Sequence, residues 1–269
     1  QMTGQRFDWP TLRENKNSEI RRLNGIYENL LEGAGVELWR RRAAFVDAHT
    51  LNLQGQHVRA DKILIATGST PRRPDFDGGD LCLTSDEMFH LDSLPEHITI
   101  IGGGYIAVEF AFILKGLGVN VALSYRRDLF LREFDIDIRT GLRDAALNAG
   151  IDLHFNTTPQ KLSDNGAGYD LSLNDGQTLK TGLVMAAIGR TPKTGPLEIE
   201  NAGITLHDDG RIAIDEKTLQ TNQPHIYAVG DVASKIQLTP LAIRQGHVLA
   251  DRLFGGAPET ILDTSILPT

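Results

Sequence analysis

The chain has 269 residues, a formal net charge of −8, and 41% hydrophobic against 23% charged residues. This composition is typical of a folded protein with one large or two ordinary domains, and it excludes a disordered or fibrous chain. The negative charge argues against binding of nucleic acid or of an anionic membrane through a basic surface, so a small-molecule ligand is favoured.

The cysteine content and the N-terminal stretch exclude further classes of protein. The chain has one cysteine, Cys82, so it forms no intrachain disulfide or cysteine-based zinc site, and we predict no metal site. The stretch QMTGQRFDWP has no apolar core of signal-peptide type, and no apolar run approaches the roughly 20 residues of a membrane helix. We therefore expect a cytoplasmic protein without membrane contact.

The first predicted element is an amphipathic helix over residues 9–31, which Gly33 and Gly35 end. Short strands follow, with LQGQ as a turn, at 36–39, 44–46 and 50–53. A buried strand at 62–66 comes next. We expect a small antiparallel sheet that leads into this buried strand.

From residue 98 the pattern becomes strand, glycine turn, helix and strand, which is a βαβ unit. Beyond it the sequence predicts a helix at 136–148, a strand IDLHF, and a meander formed by YDLSL, QTLK and GLVMAAIGR. The last part contains GRIAID, HIYAVGD and a helix at 240–253. The fold class is therefore α/β.

The turn of the βαβ unit reads GxGxxA, with Gly102, Gly104 and Ala107 as its small residues. The first permits a tight turn, the second lets a pyrophosphate approach the backbone, and the third lets the helix pack on the strand. The helix N-terminus then offers N–H groups and partial positive charge to the phosphates. A dinucleotide site is predicted here; a plain βα turn is the alternative.

Arginines follow the second strand of this unit, where an NAD enzyme carries an acidic residue. Arg126 lies 24 positions after Gly102, with Arg127 beside it and Arg132 one short loop further on. Guanidinium groups donate charge-assisted hydrogen bonds to a 2′-phosphate, so NADP is predicted. The alternative is an ordinary solvated basic loop.

Three strands end in small residues, namely ILIATGSTPRRP, LVMAAIGRTP and HIYAVGDVAS. Ligands of open α/β sheets lie across such carboxyl ends. Asp231 is the charged group placed there; it accepts hydrogen bonds from a polyol or merely caps the next turn. Thr239 is the predicted N-cap of the last helix and Pro240 its first residue, and the dipole of this helix would stabilise a reduced flavin.

Taken together, ILIATG, GGGYIAVE, the paired arginines, AAIGRTP, YAVGD and LTP resemble the pyridine nucleotide-disulfide oxidoreductase family, over essentially the whole chain. EIRRLNGIYENLL and YIAVEFAFILKGLG are similar to its glutathione reductase branch. The resemblance implies two Rossmann-like domains, one binding FAD and an inserted one binding NADP. It implies domain limits of 1–68 for the first part of the FAD domain, 69–192 for the NADP domain and 193–269 for the second part of the FAD domain.

The resemblance also implies site residues. It implies flavin contacts at Ala43, Ala66, Thr67, Gly68, Asp231, Leu238 and Thr239. It implies NADPH contacts at Gly102, Gly103, Gly104, Ile106, Arg126, Arg132, Ile188, Gly189 and Arg190. Tyr105 is expected to cover the nicotinamide pocket, Glu109 to lie beside it, and Tyr27 to lie at the site of a glutathione-type disulfide.

The family also has an N-terminal βαβ unit with a CxxxxC redox pair and a C-terminal dimerisation domain with a His–Glu acid/base pair, and neither is found in these 269 residues. We therefore expect no catalytic residues here and no disulfide reductase activity of these residues alone, although the resemblance implies a homodimeric NADPH:disulfide reductase. Cys82 is expected to be a packing residue. His247 stands where glutathione enzymes often place an arginine, so a related thiol such as glutathione amide stays open.

Other branches, such as dihydrolipoamide dehydrogenase or mercuric reductase, are the alternatives within the family. The arginines disfavour the first of these, because it uses NAD. A non-catalytic nucleotide-binding module is the alternative from a different class.

Overall fold

The computed structural model describes residues 7–263. Its helices α1 to α5 are Trp9–Gly33, Ser85–Met88, Tyr105–Gly116, Ile136–Asn148 and Thr239–Leu253. Its strands β1 to β7 are Ala44–Phe45, Thr50–Leu53, Gln56–Arg59, Ile63–Ile65, Ser69–Pro71, His97–Ile101 and Asn120–Tyr125. Strands β8 to β14 are Asp152–Phe155, Pro159–Asp164, Tyr169–Leu173, Thr178–Thr181, Leu183–Ala186, Arg190–Pro192 and Ile226–Ala228. The first six residues, on which part of the signal-peptide prediction rests, lie outside the described range.

The chain divides into two compact units, one formed by residues 1–37 with 71–189 and the other by 38–70 with 190–269. The predicted limits at 68 and 192 lie near two of these boundaries, but the grouping of α1 differs. Trp9 Nε1 donates to Leu91 O at 2.8 Å, and Arg13 pairs with Asp92 at 2.6 Å, all within the first unit. The domain limits stay a prediction.

The core of the first unit is a parallel sheet with the strand order β12-β6-β7-β8. β-branched and leucine side chains fill both faces of its central strands, so that Ile100 and Leu123 are fully buried. The crossover helix α3 packs on β6 and β7 through Ala107 and Ala111. The predicted βαβ unit is therefore confirmed, and β6, β7, β8 and β12 all end at one edge.

An antiparallel meander with the order β11-β10-β9 lies in the same unit. The predicted strands YDLSL and QTLK are confirmed as β10 and β11. The prediction that GLVMAAIGR is the third strand of this meander was wrong, because residues 183–186 join the parallel sheet beside β6. The polar strand Pro159–Asp164 pairs with β10 instead. The sequence PQKLSD gave no apolar signal for that strand.

The second unit contains the antiparallel sheet β1-β2-β3 and the parallel pair β4 and β14. The predicted antiparallel sheet is confirmed, but the strand at 36–39 was wrong, since this stretch has no strand and its large apolar side chains are exposed. Its place is taken by β3, which LQGQ joins to β2 through Gln54 and Gly55 at positive φ. GRIAID forms an isolated bridge between Leu206 and Ile212 rather than a strand.

Helix α5 begins one residue earlier than predicted. Leu238 is the N-cap in extended conformation, Thr239 is already helical, and the cap makes no side-chain hydrogen bond. The prediction of Thr239 as N-cap was therefore wrong. Pro240 is the second helical residue. Proline has no backbone N–H, and this costs nothing here because N–H groups in the first turn have no intrahelical acceptor.

No helix within residues 7–263 has the length and apolar character that a bilayer span requires. The cytoplasmic location stays a prediction.

Candidate functional site

A cleft of about 680 Å³ opens at the carboxyl edge of the parallel sheet in the first unit. The loops after β12, β6 and β7 line it, which is where ligands bind in open α/β sheets. The cleft brings together a large part of the predicted NADPH site, namely Gly102, Gly103, Gly104, Tyr105, Arg126, Arg132, Ile188 and Gly189.

Two residues of the glycine loop after β6 have no room for a side chain. Gly102 has φ +142°, and a Cβ there would fall on Ala187 O. A Cβ on Gly103 would lie 2.5 Å from the ring of Tyr125. These two glycines are therefore required by the fold, because each touches a neighbouring strand end.

Gly104 differs from the two glycines before it. It is the N-cap of α3 with φ −85°, and a Cβ there would meet no atom within 4 Å. The space above it opens onto the cleft, next to the first turn of α3, where N–H groups lack intrahelical acceptors. An anionic group fits here because backbone donors and the helix dipole both face it.

The loop after β7 contains Arg126, Arg127 and Arg132, and we call it the arginine loop. It is hydrogen-bonded to the glycine loop. Leu131, at φ +54°, donates its N–H to Gly103 O at 2.7 Å. Arg139 of α4 donates to Phe130 O at 2.8 Å and to Leu129 O at 2.9 Å. The loop is therefore held in place by backbone acceptors. Sequence reasoning missed these contacts, because a leucine in the left-handed region and an arginine on a helix give no motif.

The cleft is positively charged although the chain is acidic. Its lining contains two carboxylates, Asp75 and Glu133, and five arginines, which are Arg72, Arg73, Arg126, Arg127 and Arg132. Arg132 Nε donates to Glu133 Oε1 at 2.7 Å, and both side chains are largely exposed. Such a surface pair is weak, so a phosphate can displace the carboxylate. Within the described residues, Arg126 and Arg127 form no ion pair. This charge distribution favours an anionic ligand.

Three predicted nucleotide residues lie away from the lining of the cleft. Ile106 packs against the core of the first unit, and Glu109 is exposed one turn further along α3. Arg190 belongs to the second unit, where it donates from Nε to Ser69 Oγ at 2.7 Å and from Nη2 to Ser69 O at 2.9 Å. Tyr105 lines the cleft with 42% of its surface exposed, at the first position of α3.

In the second unit, β4 and β14 end side by side, so that the segments Ala66–Gly68 and Val229–Asp231 share one edge. Asp231 lies in a short 3-10 helix, Gly230–Val232, and its Oδ2 accepts from Ser69 Oγ at 2.7 Å. No backbone N–H of the described chain donates to this carboxylate, which argues against the capping alternative. Its Oδ1 has no hydrogen-bond partner among the described residues.

A buried amide links this edge to α5. Gln245, with 3% of its surface exposed, accepts from Gly230 N–H at 2.7 Å. Gly230 itself has φ +70°. The position of the strand end next to Asp231 is therefore fixed by a side chain that no sequence motif indicates.

The remaining predicted contacts are dispersed. Ala43 precedes β1 and is half-buried; Leu238 is half-buried and Thr239 exposed at the start of α5. Tyr27 lies on α1 with 65% of its surface exposed, and His247 is exposed on α5. The two residues belong to different units.

Cys82 is buried, with 1% of its surface exposed, in an apolar cluster with Ile101 and Leu162. Burial raises the pKa of its thiol to about 12. A protonated thiol is a poor nucleophile, so the residue packs rather than reacts. The described residues contain no group of three or more histidine, cysteine or acidic side chains placed to hold a metal ion.

The family model for pyridine nucleotide-disulphide oxidoreductases matches residues 2–246. The chain belongs to this family. The family and its glutathione reductases use FAD and NADPH.

Relatives of this chain include disulfide reductases that are named for different substrates. It is 41% identical to the glutathione reductase of Burkholderia cepacia over 248 residues, 92% of this chain and 55% of the relative. It is 36% identical to the trypanothione reductase of Trypanosoma congolense, over 93% of this chain and 54% of that protein. The resemblance to the family is thereby confirmed.

A solved structure shares the fold. The HOCl-induced flavoprotein disulfide reductase RclA from Escherichia coli superposes with a TM-score of 0.87 at 28% identity, over 93% of this chain and 58% of that chain. The chain spans little more than half the length of the relatives it matches.

Proposed function

We propose that this chain is the cofactor-binding part of an NADPH-dependent flavoprotein disulfide reductase, with NADPH in the cleft of the first unit. The observation that carries the proposal is the arginine loop. It follows β7, where an NAD enzyme carries an acidic residue, and Leu131 ties it to the glycine loop. One rigid edge therefore presents donors for a pyrophosphate and cations for a 2′-phosphate.

The cleft residues divide the work of binding. The open backbone at Gly104 and the first turn of α3 receive the pyrophosphate. Arg126 and Arg132 bind the 2′-phosphate, with Arg127 beside them, and Tyr105 covers the nicotinamide position. The nicotinamide supplies hydride chemistry when bound, whereas these residues supply position and charge.

The edge of the second unit fits a flavin dinucleotide. Ala66, Thr67 and Gly68 are small enough for its backbone to pass close by, and Asp231 Oδ1 is available to accept from the ribityl chain. The N-terminus of α5 would stabilise negative charge on the ring. The Ser69 bond holds the carboxylate in one orientation for this contact.

A glutathione-type disulfide is the proposed substrate of the whole enzyme. The names of the relatives support this class, and the trypanothione reductase among them keeps a related thiol as the second candidate. Tyr27 is the proposed contact with this substrate, and the whole enzyme is proposed to be a homodimer. Because His247 stands where glutathione enzymes often place an arginine, glutathione amide should be tested as a substrate as well.

Disulfide reduction requires a redox cysteine pair, and the 269 residues contain one buried cysteine. We therefore expect these residues alone to bind nucleotide without reducing a disulfide. NADPH-dependent loss of glutathione disulfide with purified material of this sequence would contradict that expectation. The visible absorption of the flavin in the same preparation measures whether FAD stays bound.

Calorimetric titration with NADPH and NADH tests the cofactor assignment. We expect NADPH to bind at least tenfold more tightly, a difference of about 1.4 kcal/mol. Arg126→Ala should remove much of this preference. Arg143→Ala replaces a half-buried arginine that pairs with Asp144 outside the cleft, and it should leave the preference unchanged. Tighter binding of NADH by the wild-type chain would overturn the proposal.

A further inference from the structure

Arg72 is held at the mouth of the cleft in the first unit by its backbone. Its N–H donates to Gly189 O at 2.9 Å, in the loop that follows β12. The residue lines the cleft together with Ile188 and Gly189, and its side chain is exposed. The backbone of Arg72 is therefore fixed beside a loop that lines the cleft, and its guanidinium group extends from that point.

Two other arginines of the lining are occupied by protein acceptors. Arg73 donates to Cys82 O at 2.8 Å and to Glu87 Oε1 at 2.5 Å, and Arg132 donates to Glu133. Among the described residues, the Arg72 side chain makes neither a hydrogen bond nor an ion pair. Asp75, three positions further on, also lines the cleft and does not pair with it. Arg72 is thus a cation available to a ligand.

The strand order gives Arg72 a place along the bound dinucleotide. In the order β12-β6-β7, the loop after β6 receives the pyrophosphate, and the end of β7 receives the ribose next to the adenine. The other half of the dinucleotide then lies towards β12. Arg72 is bonded to Gly189 in the loop after β12, so it lies on the side of the glycine loop opposite to Arg126, which follows β7.

We propose that Arg72 binds the phosphate on the nicotinamide side of the dinucleotide, a contact distinct from the 2′-phosphate contact of the arginine loop. This inference rests on the proposed function of the cleft. A guanidinium donates two charge-assisted hydrogen bonds to a phosphate and neutralises part of its charge. The contact is made equally to NAD and NADP, so it raises affinity without selecting between them.

Three ligands separate the two contacts in calorimetric titrations of the 269-residue chain. NADP⁺ has both phosphates in question, NAD⁺ lacks the 2′-phosphate, and adenosine 2′,5′-bisphosphate lacks the nicotinamide half. We expect Arg72→Ala to weaken NADP⁺ and NAD⁺ about tenfold each, or about 1.4 kcal/mol, and to leave the bisphosphate unchanged. Arg126→Ala should weaken NADP⁺ and the bisphosphate and leave NAD⁺ unchanged.

Two further variants control for charge and folding. Arg72→Lys keeps the charge without the planar fork and should lose less affinity than Arg72→Ala. Arg143→Ala should bind all three ligands as the wild type does. Circular dichroism spectra should be unchanged for every variant, because each replaced side chain is exposed or part-exposed.

Each contrary result has a separate meaning. Unchanged NADP⁺ affinity in Arg72→Ala overturns the inference and leaves the proposed function standing. Weaker binding of the bisphosphate by Arg72→Ala overturns the nicotinamide-side placement. A wild-type chain that binds none of the three ligands overturns the proposed function and the inference with it.

Discussion

Ser69 donates a hydrogen bond from Oγ to Asp231 Oδ2 at 2.7 Å, between two residues 162 positions apart in the sequence. The same hydroxyl accepts from Arg190 Nε at 2.7 Å, and that nitrogen lies 3.9 Å from Asp231 Oδ2. One buried serine therefore joins an arginine and a carboxylate at the edge where we propose that the flavin lies. The orientation of Asp231 depends on this hydroxyl.

Removing the Ser69 hydroxyl should destabilise the chain. Ser69→Ala deprives Arg190 of an acceptor and Asp231 of a donor in a part-buried place, so we expect a loss of about 1–2 kcal/mol in the free energy of unfolding. Thr67→Val is the matched control, because the Thr67 hydroxyl bonds to Lys193 O on the exposed side of the same segment. Urea denaturation should show a smaller loss for this control. Equal losses in both variants would contradict the role given to Ser69.

The glycine loop offers a comparison between adjacent residues. Gly103→Ala should destabilise the fold by about 1–3 kcal/mol, because its methyl group would overlap the Tyr125 ring. Gly104→Ala should leave the denaturation midpoint almost unchanged, since its φ of −85° is open to alanine and no atom lies near. The methyl group would instead obstruct the nucleotide.

Titration with NADP⁺ separates these two effects. Gly104→Ala should weaken binding at least tenfold while remaining as stable as the wild type. Normal NADP⁺ affinity of Gly104→Ala would show that the pyrophosphate does not lie over this residue.

The sequence predicted the parts of the fold that depend on local patterns. The βαβ unit follows from an apolar β-branched run, three glycines and an apolar helix, and the structure has each of them in the expected order. Strands β3 and β9 escaped prediction because they are short and largely polar. The stretch at 36–39 gave a false strand because its apolar residues are exposed rather than packed.

The features of the candidate site that the sequence did not predict depend on contacts between distant segments. Gln245 and Leu131 hold the two edges through bonds to Gly230 N–H and Gly103 O, and neither is marked by a motif. Arg190 was predicted in the nucleotide site from the family resemblance, in which AAIGRTP is one of the matching motifs. The compact units separate between Gly189 and Arg190, and the Arg190 side chain bonds within the second unit. The predicted domain limit at 192 lies two residues beyond Arg190, so the prediction grouped this residue with the nucleotide domain.

Replacing the buried amide on α5 should cost more than replacing its exposed neighbour. Gln245→Leu leaves the buried Gly230 N–H without an acceptor, so we expect a loss of about 1–3 kcal/mol in the free energy of unfolding. Arg244→Ala, at the adjacent exposed position of α5, should change stability by less than about 0.5 kcal/mol. Comparable losses from both substitutions would show that the amide bond does not hold the strand end.

Glu87 should make part of the stability dependent on pH. Its carboxylate accepts from Thr84 Oγ1 at 2.5 Å and from Thr84 N–H at 2.7 Å, within the capping box of α2, and Arg73 pairs with it. These contacts, the Thr84 hydroxyl foremost, lower the pKa of Glu87 from 4.5 to about 2. Because the folded state favours the ionised form, the contribution is complete above about pH 4.5 and is lost as the pH falls towards 2.

Glu87→Gln measures this contribution by difference. Since the carboxylate is partly exposed, solvent screening limits the expected loss at pH 7 to about 1 kcal/mol or less. The gap in unfolding free energy between wild type and variant should shrink as the pH is lowered from 5 to 2.5. A gap that stays constant over this range would show that ionisation of Glu87 does not contribute.

Cys82 should be unreactive in the folded chain. Its thiol is buried in an apolar cluster, and burial raises its pKa to about 12, so almost no thiolate exists at pH 8. A thiol reagent such as dithionitrobenzoate should therefore release no colour from the native chain and one equivalent after unfolding in guanidinium chloride. Cys82→Ser should abolish the second signal and, by placing a hydroxyl in the apolar cluster, lower stability by about 1–3 kcal/mol. Rapid reaction of the native thiol would instead show that this cysteine is accessible and ionised, and it would remove the reason for assigning it to packing.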